Sequence, residues 1–134
     1  QVVMSLEIRD LEKTKIDLVF EKVKKSAEKI AADTGTTISF AALDVTAVPA
    51  PTDQRLRKII QEAATSLNLT TKLMPSGAGH DAQDLARIVP IGMIFVPSVG
   101  GISHSPKEFT TASDVANGAS VLMQAILKLD ENGL

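Results

Sequence analysis

The sequence predicts an α/β protein in two parts. Segments in which apolar and polar residues alternate are followed by segments in which apolar residues recur every three or four positions, which is the order of strands and helices. The stretch Val48-Pro49-Ala50-Pro51 interrupts this order, because two prolines hold the backbone extended and exclude a helix. We therefore expect a domain boundary there, with a strand-helix-strand unit over residues 1–49 and a layered, mostly parallel α/β region over residues 50–134.

The first part is predicted to hold two strands and one helix. Alternation from Val2 to Arg9 indicates a half-buried strand. An amphipathic helix follows from about Leu11 to Ala32, since apolar residues recur there at spacings of four and three. Gly35 is a natural end for this helix because glycine tolerates the left-handed backbone conformation. Alternation from Thr36 to Ala42 indicates the second strand.

The second part opens with a helix for which Thr52 or Asp53 is a suitable N-cap. The apolar stripe of this helix runs from Leu56 to Leu67. A short strand is predicted from Thr71 to Met74 and a short helix from Asp81 to Arg87, with a glycine-rich loop between them.

The centre of the second part is the apolar run Ile91 to Val96, which predicts a strand covered on both faces. A last helix is predicted from about Ser113 to Leu129. Its expected buried stripe consists of Val115, Ala119, Leu122, Ile126 and Leu129. Ligands of such sheets bind beyond the carboxyl ends of the strands, so we expect the two glycine-rich loops of the chain at that edge.

These two loops carry the only two histidines. His80 lies in the first loop, Ser76 to Ala82, and His104 lies in the second, Gly100 to Pro106. The small residues of the first loop would let its backbone approach a ligand, and a helix beginning at Asp81 would favour an anion such as a carboxylate. The alternative is a tight strand-to-helix turn with Asp81 as its cap. The loop has neither the lysine of a P-loop nor the glycine spacing of a dinucleotide site.

Three further residues have two possible interpretations each. His104 is either a metal ligand or an ordinary surface histidine. Glu108 either orients the His104 imidazole or is solvated. Arg9 either makes a bidentate contact with a carboxylate or pairs at the surface with Glu7 or Asp10.

The composition argues against several classes of protein. With 44% hydrophobic and 22% charged residues, the chain is typical of a folded globular protein. The absence of cysteine excludes a disulfide framework and a thiolate metal site. A net charge of −2 without a basic patch argues against nucleic acid as a partner. No apolar run reaches membrane-spanning length, so we expect a cytoplasmic protein with no membrane partner.

Three motifs together resemble a known family: Pro75-Ser-Gly-Ala-Gly-His-Asp-Ala82, Met93-Ile-Phe-Val-Pro-Ser98 and Gly100-Gly-Ile-Ser-His-Ser-Pro106. They resemble the C-terminal portion of the N-carbamoyl-L-amino acid hydrolase and allantoate amidohydrolase family, which belongs to the binuclear-metal aminoacylase and carboxypeptidase superfamily. The resemblance extends over essentially the whole chain. It implies that residues 1–49 are the second half of a ferredoxin-like lid and dimerisation domain. Residues 50–134 would be the C-terminal part of a zinc-peptidase-like catalytic α/β domain.

The resemblance also implies roles for individual residues. His104 matches the family's last metal ligand. Gly79 and His80 match the loop that contacts the substrate's carboxylate or the group under attack, and Arg9 matches the lid arginine that grips the carboxylate. Where the family commonly has Asp, this chain has Glu7. No catalytic residue is expected in this chain, because the family's general-base glutamate and its other metal ligands match no position here and would lie upstream.

The implied activity belongs to an intact enzyme that also contains an N-terminal part. That enzyme would hydrolyse N-carbamoyl-L-amino acids to an L-amino acid, carbon dioxide and ammonia, using two divalent metal ions (Zn or Mn) and forming a homodimer through the lid. Allantoate is the alternative among small carboxylate-bearing ureido substrates. The 134 residues alone are expected to be inactive and to bind no metal tightly. Two other hypotheses remain: a non-catalytic folding or dimerisation piece, and a metal-free module that binds a carboxylate or phosphate.

Overall fold

The computed structural model describes residues 1–43 and 48–132. Their regular secondary structure is helical: α1 spans Lys13–Thr34, α2 spans Gln54–Ser66, α3 spans Ala82–Leu85, α4 spans Ala112–Asn132, and a 3₁₀ turn spans Val99–Gly101. None of these helices combines the length and the apolar character that crossing a membrane requires.

Contacts within the chain define two compact units. The first unit comprises Gln1–Pro51 and Pro75–Gln83, so it includes α1 and the first glycine-rich loop as far as Gln83. The second unit comprises Thr52–Met74 and Asp84–Leu134, so it includes α2, α4 and the second glycine-rich loop. The proposed boundary between residues 49 and 50 stays a prediction about domains.

The prediction of strands is wrong for this structure. Strands were expected at residues 2–9, 36–42, 71–74 and 91–96, but no described residue takes part in a β-ladder. A ladder needs a neighbouring segment that exchanges N–H···O=C bonds in register, and within the described ranges no segment does so. Alternation along one segment indicates which face is apolar, but it does not provide the partner strand.

The helix predicted from Leu11 to Ala32 is confirmed as α1, displaced by two residues. Gly35 ends it with a left-handed backbone, at φ 69°. The ring of Phe20 on α1 meets the ring of Phe40 edge to face, with centroids 5.6 Å apart. The residues after α1 are therefore held against it by an aromatic contact rather than by strand pairing.

The helix predicted to follow a cap at Thr52 or Asp53, with its apolar stripe from Leu56 to Leu67, is confirmed as α2, and the structure uses Asp53 as the cap. The Asp53 carboxylate accepts hydrogen bonds from the backbone N–H groups of Arg55, at 2.7 Å, and Leu56, at 3.2 Å. The hydrogen bond from the Arg55 side chain holds the pKa of the Asp53 carboxyl below its usual value. The cap thus satisfies two of the N–H groups that the first turn leaves without a helical partner.

The most buried contact of the second unit lies between α2 and α4 and is made of small side chains. Ala63 and Ala64 of α2 pack with Val121 and Ala125 of α4, and none of the four is more than 6% exposed. Small side chains at a contact let two helix axes approach closely.

The buried stripe predicted for α4 is therefore wrong. Val115, Leu122 and Ile126 are 52%, 52% and 56% exposed, Ala119 is exposed as well, and only Leu129 is partly buried. The prediction followed the largest apolar side chains, whereas the contact with α2 uses the neighbouring face, where the side chains are smaller.

The run Ile91 to Val96 lies against this helix pair, with Ile91 its most buried residue. A Cβ atom on Gly92 would lie 3.0 Å from the Ile60 side chain, and a Cβ on Gly118 of α4 would lie 2.4 Å from that of Val96. Ile94, between Gly92 and Val96, packs against the core. The expected burial on both faces is wrong, since Phe95 is 51% exposed and Val96 is 38% exposed.

Candidate functional site

The first glycine-rich loop is folded around His80. The Ser76 Oγ lies 2.7 Å from His80 Nε2, and the same Oγ accepts a hydrogen bond from the Ala78 N–H at 3.3 Å. The backbone N–H of His80 donates to Gln83 Oε1 at 3.2 Å. The imidazole and the peptide of His80 are thus each held by a different side chain.

Arg9 reaches this loop. Its Nη1 donates to the Gly77 carbonyl oxygen at 3.4 Å, across 68 positions of sequence. Its Nε also pairs with the Glu7 carboxylate, so the surface pairing considered for Arg9 exists together with the loop contact. Asp10, the other acid considered, instead accepts the backbone N–H of Glu12 at 2.9 Å. Among the described residues, the Nη2 group of Arg9 has no hydrogen-bond partner, which leaves that one nitrogen for a ligand.

Neither the backbone conformation nor the described neighbours of Gly77 and Gly79 require glycine at these two positions. Neither Gly77 nor Gly79 has the left-handed φ that excludes other residues. Among the described residues, a Cβ at Gly77 would meet nothing within 4 Å, and a Cβ at Gly79 would meet only Gln83 Oε1, at an ordinary 3.5 Å. The space beside the Gly79 backbone is therefore open, as a ligand that contacts this backbone would require.

The helix expected from Asp81 to Arg87 is a single turn, α3, over Ala82–Leu85. It follows a tight turn in which the Gln83 N–H donates to the His80 carbonyl at 2.8 Å. Asp84 places a negative charge in that one turn. A helix this short has little dipole to offer an anion, so the idea of an anion site at its N-terminus loses its basis.

The second glycine-rich loop holds His104 by its backbone. His104 has a left-handed φ of 53°, unusual for a residue other than glycine. The Glu108 carboxylate accepts the backbone N–H of His104 at 2.8 Å. Glu108 is exposed, as one of its two interpretations expected, and it bonds the peptide of His104 rather than the imidazole.

The described residues do not by themselves fit a metal centre. Within the described ranges no group of three or more His, Asp or Glu side chains comes together as a metal site would need. His104 could supply one ligand at most, and no chemical step through a metal follows from this chain.

The structure brings three of the four predicted site residues into one unit. Arg9, Gly79 and His80 belong to the first unit, whereas His104 belongs to the second. Sequence reasoning missed Ser76 and Gln83, the two side chains that hold His80. The only available signal for Gln83 was its position three residues after His80, which is too common a spacing to indicate a role.

Several known proteins are similar to this chain in sequence. A ureidoglycolate hydrolase from Arabidopsis thaliana is 38% identical over 126 residues, which is 94% of this chain and 26% of that protein. An N-carbamoyl-L-amino-acid amidohydrolase from Pseudomonas sp. is 34% identical over 95% of this chain and 30% of its own length. An allantoate amidohydrolase from Bacillus subtilis is 46% identical over 60% of this chain and 20% of its own length.

A solved structure is also similar to this chain. The crystal structure of AtUAH in complex with (S)-hydroxyglycine superposes with a TM-score of 0.76 at 38% identity, covering 92% of this chain and 29% of that one. The chain thus spans between a quarter and a third of the relatives that match it along most of its length. The sequence profile of peptidase family M20/M25/M40 matches residues 6–128. With so much of the chain matched, and with relatives that are amidohydrolases and related hydrolases of small ureido compounds, the chain belongs to peptidase family M20/M25/M40.

Proposed function

We propose that this chain is the C-terminal part of an amidohydrolase that cleaves the carbamoyl C–N bond of N-carbamoyl-L-amino acids. The observation that carries the proposal is the placement of Arg9 at the first glycine-rich loop, with its Nη1 on the Gly77 carbonyl. A guanidinium beside an open stretch of backbone at Gly79 is suited to a small ligand with a carboxylate at one end.

In this proposal the first unit binds and orients the substrate. The Nη2 group of Arg9 donates to the substrate's carboxylate in a charge-assisted pair. Glu7 already neutralises part of the Arg9 charge through its ion pair with Nε. The substrate carboxylate therefore shares the guanidinium with Glu7, which limits affinity and favours ligands that can also use the backbone near Gly79 and the imidazole of His80.

The other parts of the proposal depend on the family resemblance. His104 is proposed as one protein ligand to a pair of divalent ions, Zn or Mn, whose remaining ligands come from outside these 134 residues. The metal pair, when bound, supplies the activated water for hydrolysis. Residues 1–49 are proposed as half of a lid through which the enzyme dimerises, and residues 50–134 as the end of its catalytic α/β domain.

Two related substrates are the alternatives. Allantoate and ureidoglycolate, named in the relatives at 46% and 38% identity, also join a carboxylate to a ureido group. The Arg9 loop contact fits all three substrates equally well, because it addresses the shared carboxylate. Parallel kcat/KM measurements with an N-carbamoyl-L-amino acid, allantoate and ureidoglycolate on the full-length enzyme would assign the substrate.

The test of the carboxylate site is Arg9→Ala in the full-length enzyme. Removing a charged partner of a bound carboxylate costs about 1.5–3 kcal/mol, so KM should rise by at least about tenfold while the fold is kept. Arg87→Ala is a matched control, since Arg87 belongs to the second unit. An unchanged kcat/KM in Arg9→Ala would overturn the assigned role. If the full-length protein hydrolyses none of the three substrates, the proposed activity is wrong and a non-catalytic piece is the remaining explanation.

A further inference from the structure

The side-chain amide of Gln83 joins two stretches of backbone that are far apart in sequence. Its Oε1 accepts the N–H of His80 at 3.2 Å, and its Nε2 donates to the carbonyl oxygen of Val48 at 3.1 Å. We propose that Gln83 is a positioning residue: by accepting the His80 N–H it fixes the backbone that presents the Gly79 N–H and the His80 side chain to the carboxylate of the substrate. This inference rests on the function proposed above.

Arg9 holds the Gly77 carbonyl and Ser76 holds the Ala78 N–H, and Gln83 is the side chain that holds the next peptide N–H of the loop, that of His80. The loop contains two glycines with open space around them, Gly77 and Gly79. Glycine has more backbone freedom to lose than any other residue. A binding loop made of such residues reaches one conformation only where side chains outside it hold its peptide groups.

Val48 is a suitable anchor because its own backbone is restricted. It precedes Pro49, which excludes the helical region for Val48, and Pro51 fixes a second φ angle shortly after. Gln83 thus ties the glycine-rich loop to a stretch that two prolines restrict, and the loop, Gln83 and Val48 all belong to the first unit.

The chemistry of glutamine matches this role. A primary amide carries an acceptor for the His80 N–H and a donor for the Val48 carbonyl on one planar group. Glutamate would keep the acceptor, but it would face the Val48 carbonyl without a donor and add a negative charge near a carboxylate site. Since both polar atoms of Gln83 bond to backbone, it acts through His80 rather than on the substrate.

The test replaces Gln83 by methionine in the full-length enzyme. Gln83→Met keeps the side-chain length and removes both hydrogen bonds, while the backbone bond from the Gln83 N–H to the His80 carbonyl is unaffected. Gln54→Met, at an exposed position at the start of α2, is the matched control. Each enzyme is assayed with an N-carbamoyl-L-amino acid and with its carboxamide, which lacks the charged carboxylate.

For Gln83→Met we expect KM for the acid to rise about tenfold, the effect of losing roughly 1.4 kcal/mol of positioning, with kcat changed less than about twofold. The kcat/KM for the carboxamide should stay within about twofold, because that substrate does not use the site. A general loss of structure would lower kcat/KM for both substrates equally. That equal loss, or an unchanged KM for the acid, would overturn the positioning role.

A second measurement needs no activity. Hydrogen exchange at the His80 amide should be about tenfold faster in Gln83→Met than in wild type or Gln54→Met, and unchanged exchange would overturn the proposal. The Arg9→Ala variant tests the carboxylate site separately from the role of Gln83. If Arg9→Ala raises KM for the acid and Gln83→Met does not, only the role of Gln83 is wrong. If neither variant distinguishes acid from carboxamide, the carboxylate site and the role of Gln83 are both wrong.

Discussion

At the scale of single residues, Gly79 is a position where a substitution should weaken substrate binding without lowering the stability of the fold. Its φ is not left-handed, and a Cβ there would make only one ordinary contact among the described residues. Gly79→Ala should therefore leave the free energy of unfolding unchanged or raise it by about 0.4–1 kcal/mol, because alanine restricts the unfolded chain. The added methyl group would occupy the space proposed for substrate, so KM in the full-length enzyme should rise.

Gly35→Ala is the control for that substitution. Among the described residues a Cβ at Gly35 would meet nothing within 4 Å, but the φ of 69° at Gly35 is left-handed, which costs about 1–2 kcal/mol for alanine. Thermal unfolding should thus separate the two variants, with only Gly35→Ala losing stability. A Gly79→Ala enzyme with unchanged KM would show that no ligand approaches this backbone.

Sequence reasoning at this scale could identify the loops but not how they are held. Two histidines on glycine-rich loops stand out in any reading of the sequence. Gln83 and Ser76 do not, since a side chain that bonds a peptide leaves no periodic pattern. The sequence offers Glu108 as a partner for His104, but its bond to the His104 backbone, like the left-handed φ of His104, is visible only in the structure.

At the scale of elements, the close contact of α4 with the run 91–96 depends on Gly118. A Cβ at Gly118 would lie 2.4 Å from Val96 Cγ1, and valine cannot turn away easily because its χ1 is stiff. Gly118→Ala should therefore cost about 1–3 kcal/mol of overpacking, which outweighs the roughly 1 kcal/mol that alanine contributes within a helix. Urea denaturation of the variant measures the balance.

The matched experiment for Gly118 is a double-mutant cycle. Val96→Ala removes the methyl group that an alanine at 118 would strike, so Gly118→Ala should cost less in that background than in wild type. Additive effects of the two substitutions would show that the contact is not formed.

Helices were easier to predict than strands or packing faces for a physical reason. A helix bonds its own backbone, so α1 and α2 could be located from periodicity, from Gly35 and from the cap at Asp53. A strand bonds to a distant segment, and alternation from Val2 to Arg9 carries no information about that partner. The face of α4 was misassigned because hydrophobic size was taken as the guide, whereas the contact selects small residues such as Ala125.

At the scale of the whole molecule, the family could be recognised from sequence because its motifs are local. The glycine-histidine loops are contiguous, so 134 residues suffice to place the chain in peptidase family M20/M25/M40 although its curated relatives are three to four times longer. A metal centre is a different kind of feature, because it needs several ligands from separate parts of a chain.

With so few metal ligands, these 134 residues alone are expected to retain no metal. His104 is the one residue here proposed as a ligand, and the described residues gather no group of three. Catalytic zinc sites normally use three protein ligands, so the 134 residues alone should lose added zinc or manganese on dialysis. The full-length enzyme should retain metal, and His104→Ala should lower its metal-to-protein ratio, whereas His80→Ala should not. Elemental analysis after dialysis measures each ratio. Stoichiometric zinc held by the 134 residues alone would mean that they form a metal site of their own, and an unchanged ratio in His104→Ala would remove His104 from the proposed ligands.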